Sequence, residues 1–142
     1  MTVSVARPPS EPPGYATYAL GTTAAELLGA NPRLRPDWTG ADGCTAYRLD
    51  SVPGDAAVVS ADDRVVWIRL PPRSFTPAGV HVGLEGDEVP ARDPGARREG
   101  DRVTVAMPGS PPWRYEFPLD DDGRVADVLL VSAGHGCDLE AP

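Results

Sequence analysis

Cys44, His81, His135 and Cys137 are the only thiols and imidazoles in this 142-residue chain, so nucleophilic or soft-metal chemistry would have to begin with them. His135 and Cys137 stand two apart in a glycine-rich tail, Gly134-His135-Gly136-Cys137. A thiolate beside an imidazole is a nucleophile, and with Cys44 and His81 the set has the donors of a zinc site. The spacings match no common zinc pattern, and a glycine-rich tail preorganises little. An even count of two distant cysteines fits one disulfide instead, Cys44–Cys137, which would clip the tail and close a loop of 93 residue steps (137 − 44). Free thiols are the third reading.

The other candidates are weaker. Asp120-Asp121-Asp122 offers oxygen ligands, but the twelve-residue calcium loop with its distal glutamate is missing. Ser60, Ser74, Ser110 and Ser132 lack the Gly-x-Ser-x-Gly setting of a nucleophile elbow, and there is no glycine-rich phosphate loop. The sequence therefore predicts no catalytic residue, no metal and no cofactor. Trp67, Tyr115 and Phe117 fall at strand positions and read as core. Trp38 and Trp113 lie beside proline and glycine at loop or strand-edge positions, where a rigidly flanked tryptophan is a good anchor for a protein partner. Asp55, in the loop Pro53-Gly54-Asp55, completes the candidate contact set. That loop and residues 108–113 are the expected contact loops.

Composition narrows the class. All 13 basic residues are arginine, which excludes a lysine Schiff base or a phosphate-binding lysine. A net charge of −8 argues against nucleic acid, whose phosphates demand a basic surface. No apolar run approaches the ~20 residues of a membrane-spanning helix. Seventeen prolines and fifteen glycines point to short strands and many turns.

The elements that would position these residues are organised around 113–131, WRYEFPLDDDGRVADVLLV. Alternation of Tyr115, Phe117 and Leu119 with Arg114, Glu116 and Pro118 predicts a strand with one wet face, turned by 120–123 with Gly123 at positive φ. A second hairpin, 56–70, has the same turn: Arg64-Val65 and Arg124-Val125 stand 60 positions apart (124 − 64). Thr23 and Glu26 form a capping box for a short helix that Gly29 and Pro32 stop. In the second half, Gly86 and Pro90 erode the matching helix signal. Residues 32–43 read as a loop. The expected fold class is α+β, with two repeated units, each a short helix plus a three-stranded antiparallel meander, sharing a sheet. Residues 1–14 are a flexible proline-rich leader, 15–72 the first unit, 73–137 the second and 138–142 a tail.

Gly21-Thr22, Asp62-Asp63-Arg64-Val65, Thr76-Pro77-Ala78-Gly79-Val80 and Asp122-Gly123-Arg124-Val125 carry a resemblance. The chain, over about 18–137, is similar to the tandem helix–meander domains of secreted actinobacterial proteins. These belong to the β-lactamase-inhibitor-like and outer-membrane-assembly-lipoprotein-like fold group. The helix consensus of that group is intact in neither unit. The resemblance implies a secreted or envelope-bound module, disulfide-bonded and monomeric, that binds a protein partner of unknown identity without doing chemistry, with an inhibitor-like role included. No signal peptide is visible, and cytoplasmic residence with free thiols is the alternative. The rival function is a small enzyme or ligand carrier with a pocket on the sheet face.

Overall fold

The computed structural model describes residues 14–15, 17–50, 52–109 and 111–138. The predicted leader, apart from Gly14, and residues 139–142 of the predicted tail lie outside that range. Thr23 begins helix α1 (Ala24–Ala30): its Oγ1 accepts from the Glu26 N–H at 3.2 Å, and Glu26 Oε1 accepts the Thr23 N–H at 3.1 Å. Both groups are backbone donors that the first turn of a helix leaves unpaired. Asn31 ends the helix by returning its backbone N–H to Leu27 O. Leu27, 1 % exposed, is the contact that holds two turns of helix against the sheet.

A two-residue ladder, β1 (Gly14–Tyr15) with β2 (Tyr18–Ala19), precedes α1. The remaining strands form one antiparallel sheet of eight. They are β3 (Leu34–Thr39), β4 (Thr45–Leu49), β5 (Ala57–Val59), β6 (Val65–Arg69), β7 (Ala96–Glu99), β8 (Arg102–Met107), β9 (Trp113–Pro118) and β10 (Leu129–Ser132). Their spatial order is β3-β4-β5-β6-β10-β9-β8-β7. Each run is thus four strands, where the sequence predicts three. β3 and β7 are the strands that sequence reasoning missed, and both are sheet edges. An edge strand needs no continuous alternation. In β3 only Leu34 is fully buried, and Pro36 is tolerated because an edge does not demand every N–H. β7 exposes all but Ala96, which is half-buried.

The second helical stretch is a 3-10 turn, Gly86–Glu88, running into α2 (Val89–Arg92). Gly86 and Pro90, which read as erosion of a helix, have positions that suit them. A Cβ on Gly86 would lie 2.9 Å from Gly123 O. Pro90 falls in the first turn, where a missing N–H costs nothing.

Alternation gives the sheet two different faces. Ile68, Leu130, Phe117, Val103 and Val105 point to the face that α1, α2 and the 75–84 segment cover, and with Leu27, Val80, Leu84 and Val89 they form the main core. Phe117 is fully enclosed, a side chain whose burial contributes about 1.5–3 kcal/mol. Val58, Val66, Trp67, Leu129 and Val131 join Cys44 and Ala46 in a smaller cluster separate from the main core. The registers Ala57↔Ile68 and Leu129↔Arg69 set the β4–β5 loop at one end of the sheet, and Met107↔Trp113 with Ser132↔Trp113 set the β8–β9 loop at the other.

Candidate functional site

The second face is where the predicted site residues begin to meet. Trp38, near the end of β3, reaches over the small cluster, and its Nε1 donates to Asp55 Oδ2 at 3.0 Å. Asp55 lies just before β5, in the loop folded against Arg69. Gly54 has φ of 83°, in the left-handed region that favours glycine, and the Arg69 guanidinium lies against it. Arg69 caps the Trp67 ring, its Cζ 5.2 Å from the ring centroid, and its Nε is 3.4 Å from Asp127 Oδ1. Arg48 pairs with Asp37 at 3.3 Å. Burial first, and then the neighbouring Asp37 carboxyl, push the Asp55 carboxyl above the usual carboxylate range, while Trp38 and Arg69 act against that shift.

Further along the same face, Glu116 is 4 % exposed and clamped by two arginines. Arg102 lies 2.6 Å from one carboxylate oxygen and Arg114 2.7 Å from the other. Sequence reasoning did not single out this clamp. Its signal was the Arg114-x-Glu116 pair, since residues two apart on a strand share a face.

Residues 133–138 leave β10 and return to the start of β4. Cys137 is disulfide-bonded to Cys44, with the sulfurs 2.07 Å apart, and packs on the small cluster. The Asp138 N–H donates to Asp42 Oδ2 at 2.8 Å, and the Cys44 N–H donates to the other oxygen of that carboxylate at 3.0 Å. These two bonds hold the Asp42 carboxyl below its usual range. His135 Nδ1 accepts the Cys137 N–H at 2.9 Å. Burial, and then the charge of Arg114, lower the His135 pKa, with Glu116 opposing.

Trp113 is placed apart from Trp38 and Asp55. Its half-buried ring packs against the main core, edge-on to Tyr115 with centroids 4.9 Å apart. Tyr115 in turn stacks on Phe117 at 5.9 Å. The two expected contact loops therefore lie at opposite ends of the sheet.

Among the described residues, no three His, Cys, Asp or Glu side chains are grouped closely enough to hold a metal ion. No helix among them is long and apolar enough to cross a membrane. An open depression of ≈ 260 Å³ is lined by Pro32, Arg33, Arg35, Leu49 and Asp50. Two of its charged groups, Arg35 and Asp50, are paired with each other at 2.8 Å. Comparison with family models, with curated proteins and with solved structures returns no match to the chain.

Proposed function

We propose that this chain is a non-enzymatic, extracytoplasmic protein-binding module that engages its partner through the second sheet face and its flanking loops. The observation that carries the reading is the Trp38–Asp55 pair. A half-exposed tryptophan is held by its own ring N–H, with Arg35 on the edge strand β3 and its cross-strand partner Arg48 on β4 nearby. Tryptophan and arginine are the side chains that most often dominate interface energetics, and a ring fixed in advance loses little entropy on binding. Trp113, at the start of β9 and the other end of the sheet, packs on the main-core face and is the second contact, reached from the flanking β8–β9 loop. The Cys44–Cys137 disulfide fits an oxidising compartment. Secretion by an actinobacterium, an inhibitor-like mode and a monomeric state belong to the same proposal, in keeping with the helix–meander resemblance.

The module is also, in this reading, two copies of one unit. The Asp120 N–H bonds to Arg124 O and the Gly123 N–H to Asp120 O, as the Ser60 N–H does to Arg64 O and the Asp63 N–H to Ser60 O. The Gly21 N–H bonds to Val65 O, and the Gly83 N–H to Val125 O, each at 2.8 Å.

The test is affinity capture from the producing organism's envelope and culture fluid, with wild type, Trp38→Ala, Asp55→Asn and Trp113→Ala as baits. Partners held by the wild type should be lost from the tryptophan variants at a temperature where circular dichroism shows those variants still folded. Folded variants that keep every captured partner would overturn the reading.

A further inference from the structure

We propose that residues 133–138 are a redox-controlled strap: reduction of Cys44–Cys137 by a dithiol frees the strap and uncovers the part of the apolar cluster of Val58, Val66, Trp67, Leu129 and Val131 on which Cys137 packs, while Trp38 and Arg69 keep their places on the rest. The cluster is apolar sheet surface that would face solvent if nothing lay on it, yet its members are 0–7 % exposed. Cys137 packs directly on it.

The strap is tied at its two ends. The Ala133 N–H donates to Pro112 O at 3.0 Å, and the Asp138 N–H donates to Asp42. The covalent tie between the strap and β4 is Cys137 itself. The intervening chain is loosely seated. Gly134 and Gly136 have φ of 66° and 72°, and a Cβ built on either would meet nothing within 4 Å. The Cys137 N–H bonds within the strap, to His135, and so adds no tie to the sheet. The body of the sheet does not depend on these residues, because the main core lies on the opposite face.

The two sulfurs differ in access. Cys44 is 2 % exposed, whereas Cys137 is half-exposed. A thiolate of the dithiol therefore attacks Cys137 Sγ. The Cys137–Cys44 bond breaks, and Cys44 leaves as a thiolate that takes up a proton. The dithiol's second thiolate then attacks its own sulfur in the mixed disulfide, releasing Cys137 as a thiolate that is protonated in turn. Two electrons pass to the protein, and the reductant ends as a cyclic disulfide.

Hydrogen exchange of the full chain, oxidised and then held in excess dithiothreitol, tests the device. Amides of 133–138 and 44–46 should exchange faster by roughly an order of magnitude or more on reduction. Binding of the dye ANS should rise, the amides of β8 should keep their protection, and reoxidation should reverse all of it. Cys137→Ser should reproduce the reduced state without reductant. Two results would overturn the proposal: a reduced wild type whose strap stays protected and takes up no dye, or one in which β8 loses protection together with the strap. Because the wild-type measurement is reversible, it decides the matter even if the variant fails to fold.

Discussion

Glu116 shows how much a single side chain organises on the second face. Its carboxylate is enclosed and satisfied by Arg102 and Arg114, which themselves remain about one-third to one-half exposed. Removing the carboxylate leaves two guanidinium groups facing each other, with water able to reach them. Glu116→Ala should therefore cost about 2 kcal/mol, less than the loss of a fully buried pair. Urea midpoints measure this, and a change below about 0.5 kcal/mol would reduce the clamp to an ordinary surface pair. Asp55 makes the opposite kind of prediction. Its pKa in the fold is raised above the ordinary 3.8, so the folded state holds the proton more tightly than the unfolded chain does. That contribution is complete below the ordinary value and is lost as pH climbs through the raised one. Stability attributable to Asp55 should decline as pH rises above the ordinary carboxylate value and through the raised one, and Asp55→Asn should flatten the profile. Asp37, Arg69 and Trp38 are the groups that face it. A variant with an unchanged slope would assign the pH dependence elsewhere.

At the scale of elements, the two acidic turns solve one problem with different residues. Asp63 has φ 62° and Gly123 φ 76°, both in the left-handed region. Glycine adopts it without strain, while Asp63 also lends its carboxylate to the Ala24 N–H at the start of α1, at 2.9 Å. Gly123→Ala should cost about 1 kcal/mol through backbone strain alone. Asp63→Ala should cost about 1–2 kcal/mol, because it keeps the strain and loses the cap. A loss near zero for Asp63→Ala in thermal melts would show that the cap contributes nothing. This level of the fold was the most legible in the sequence. The capping box at Thr23 and Glu26, the hairpin turns and the strands through Trp67 and Phe117 all follow from local residue chemistry. Strands β3 and β7 did not, because β3 fully buries one of its six residues and β7 none of its four, which leaves no periodic signal. Of the site, the meeting of Trp38 with Asp55 was out of reach. It depends on a loop folding over a sheet face, and no residue spacing encodes that.

For the whole molecule, the pairing of Cys44 with Cys137 followed from the cysteine count, whereas its role as a clasp for the strap over the small cluster emerged only from the fold. If the chain is a duplication, a crystal structure should superpose 34–69 on 96–132 strand for strand. A different strand order would make the matching turns coincidental. The order of the sheet also has a kinetic side. Every neighbouring pair of strands in it joins consecutive stretches of chain except β6 with β10, whose Arg69↔Leu129 partners are 60 residues apart (129 − 69). Loop-closure entropy makes local hairpins the early events and this central seam the late one. Leu130, 1 % exposed and paired with Ile68 in the seam, gives the measurement. Leu130→Ala should lower stability by about 2–5 kcal/mol. If the seam closes after the transition state, stopped-flow traces will show that loss almost wholly as faster unfolding, with the refolding rate little changed. Val103→Ala, inside a local meander, should instead slow refolding. The two halves would then collapse separately, and the protein would become one body only at its middle.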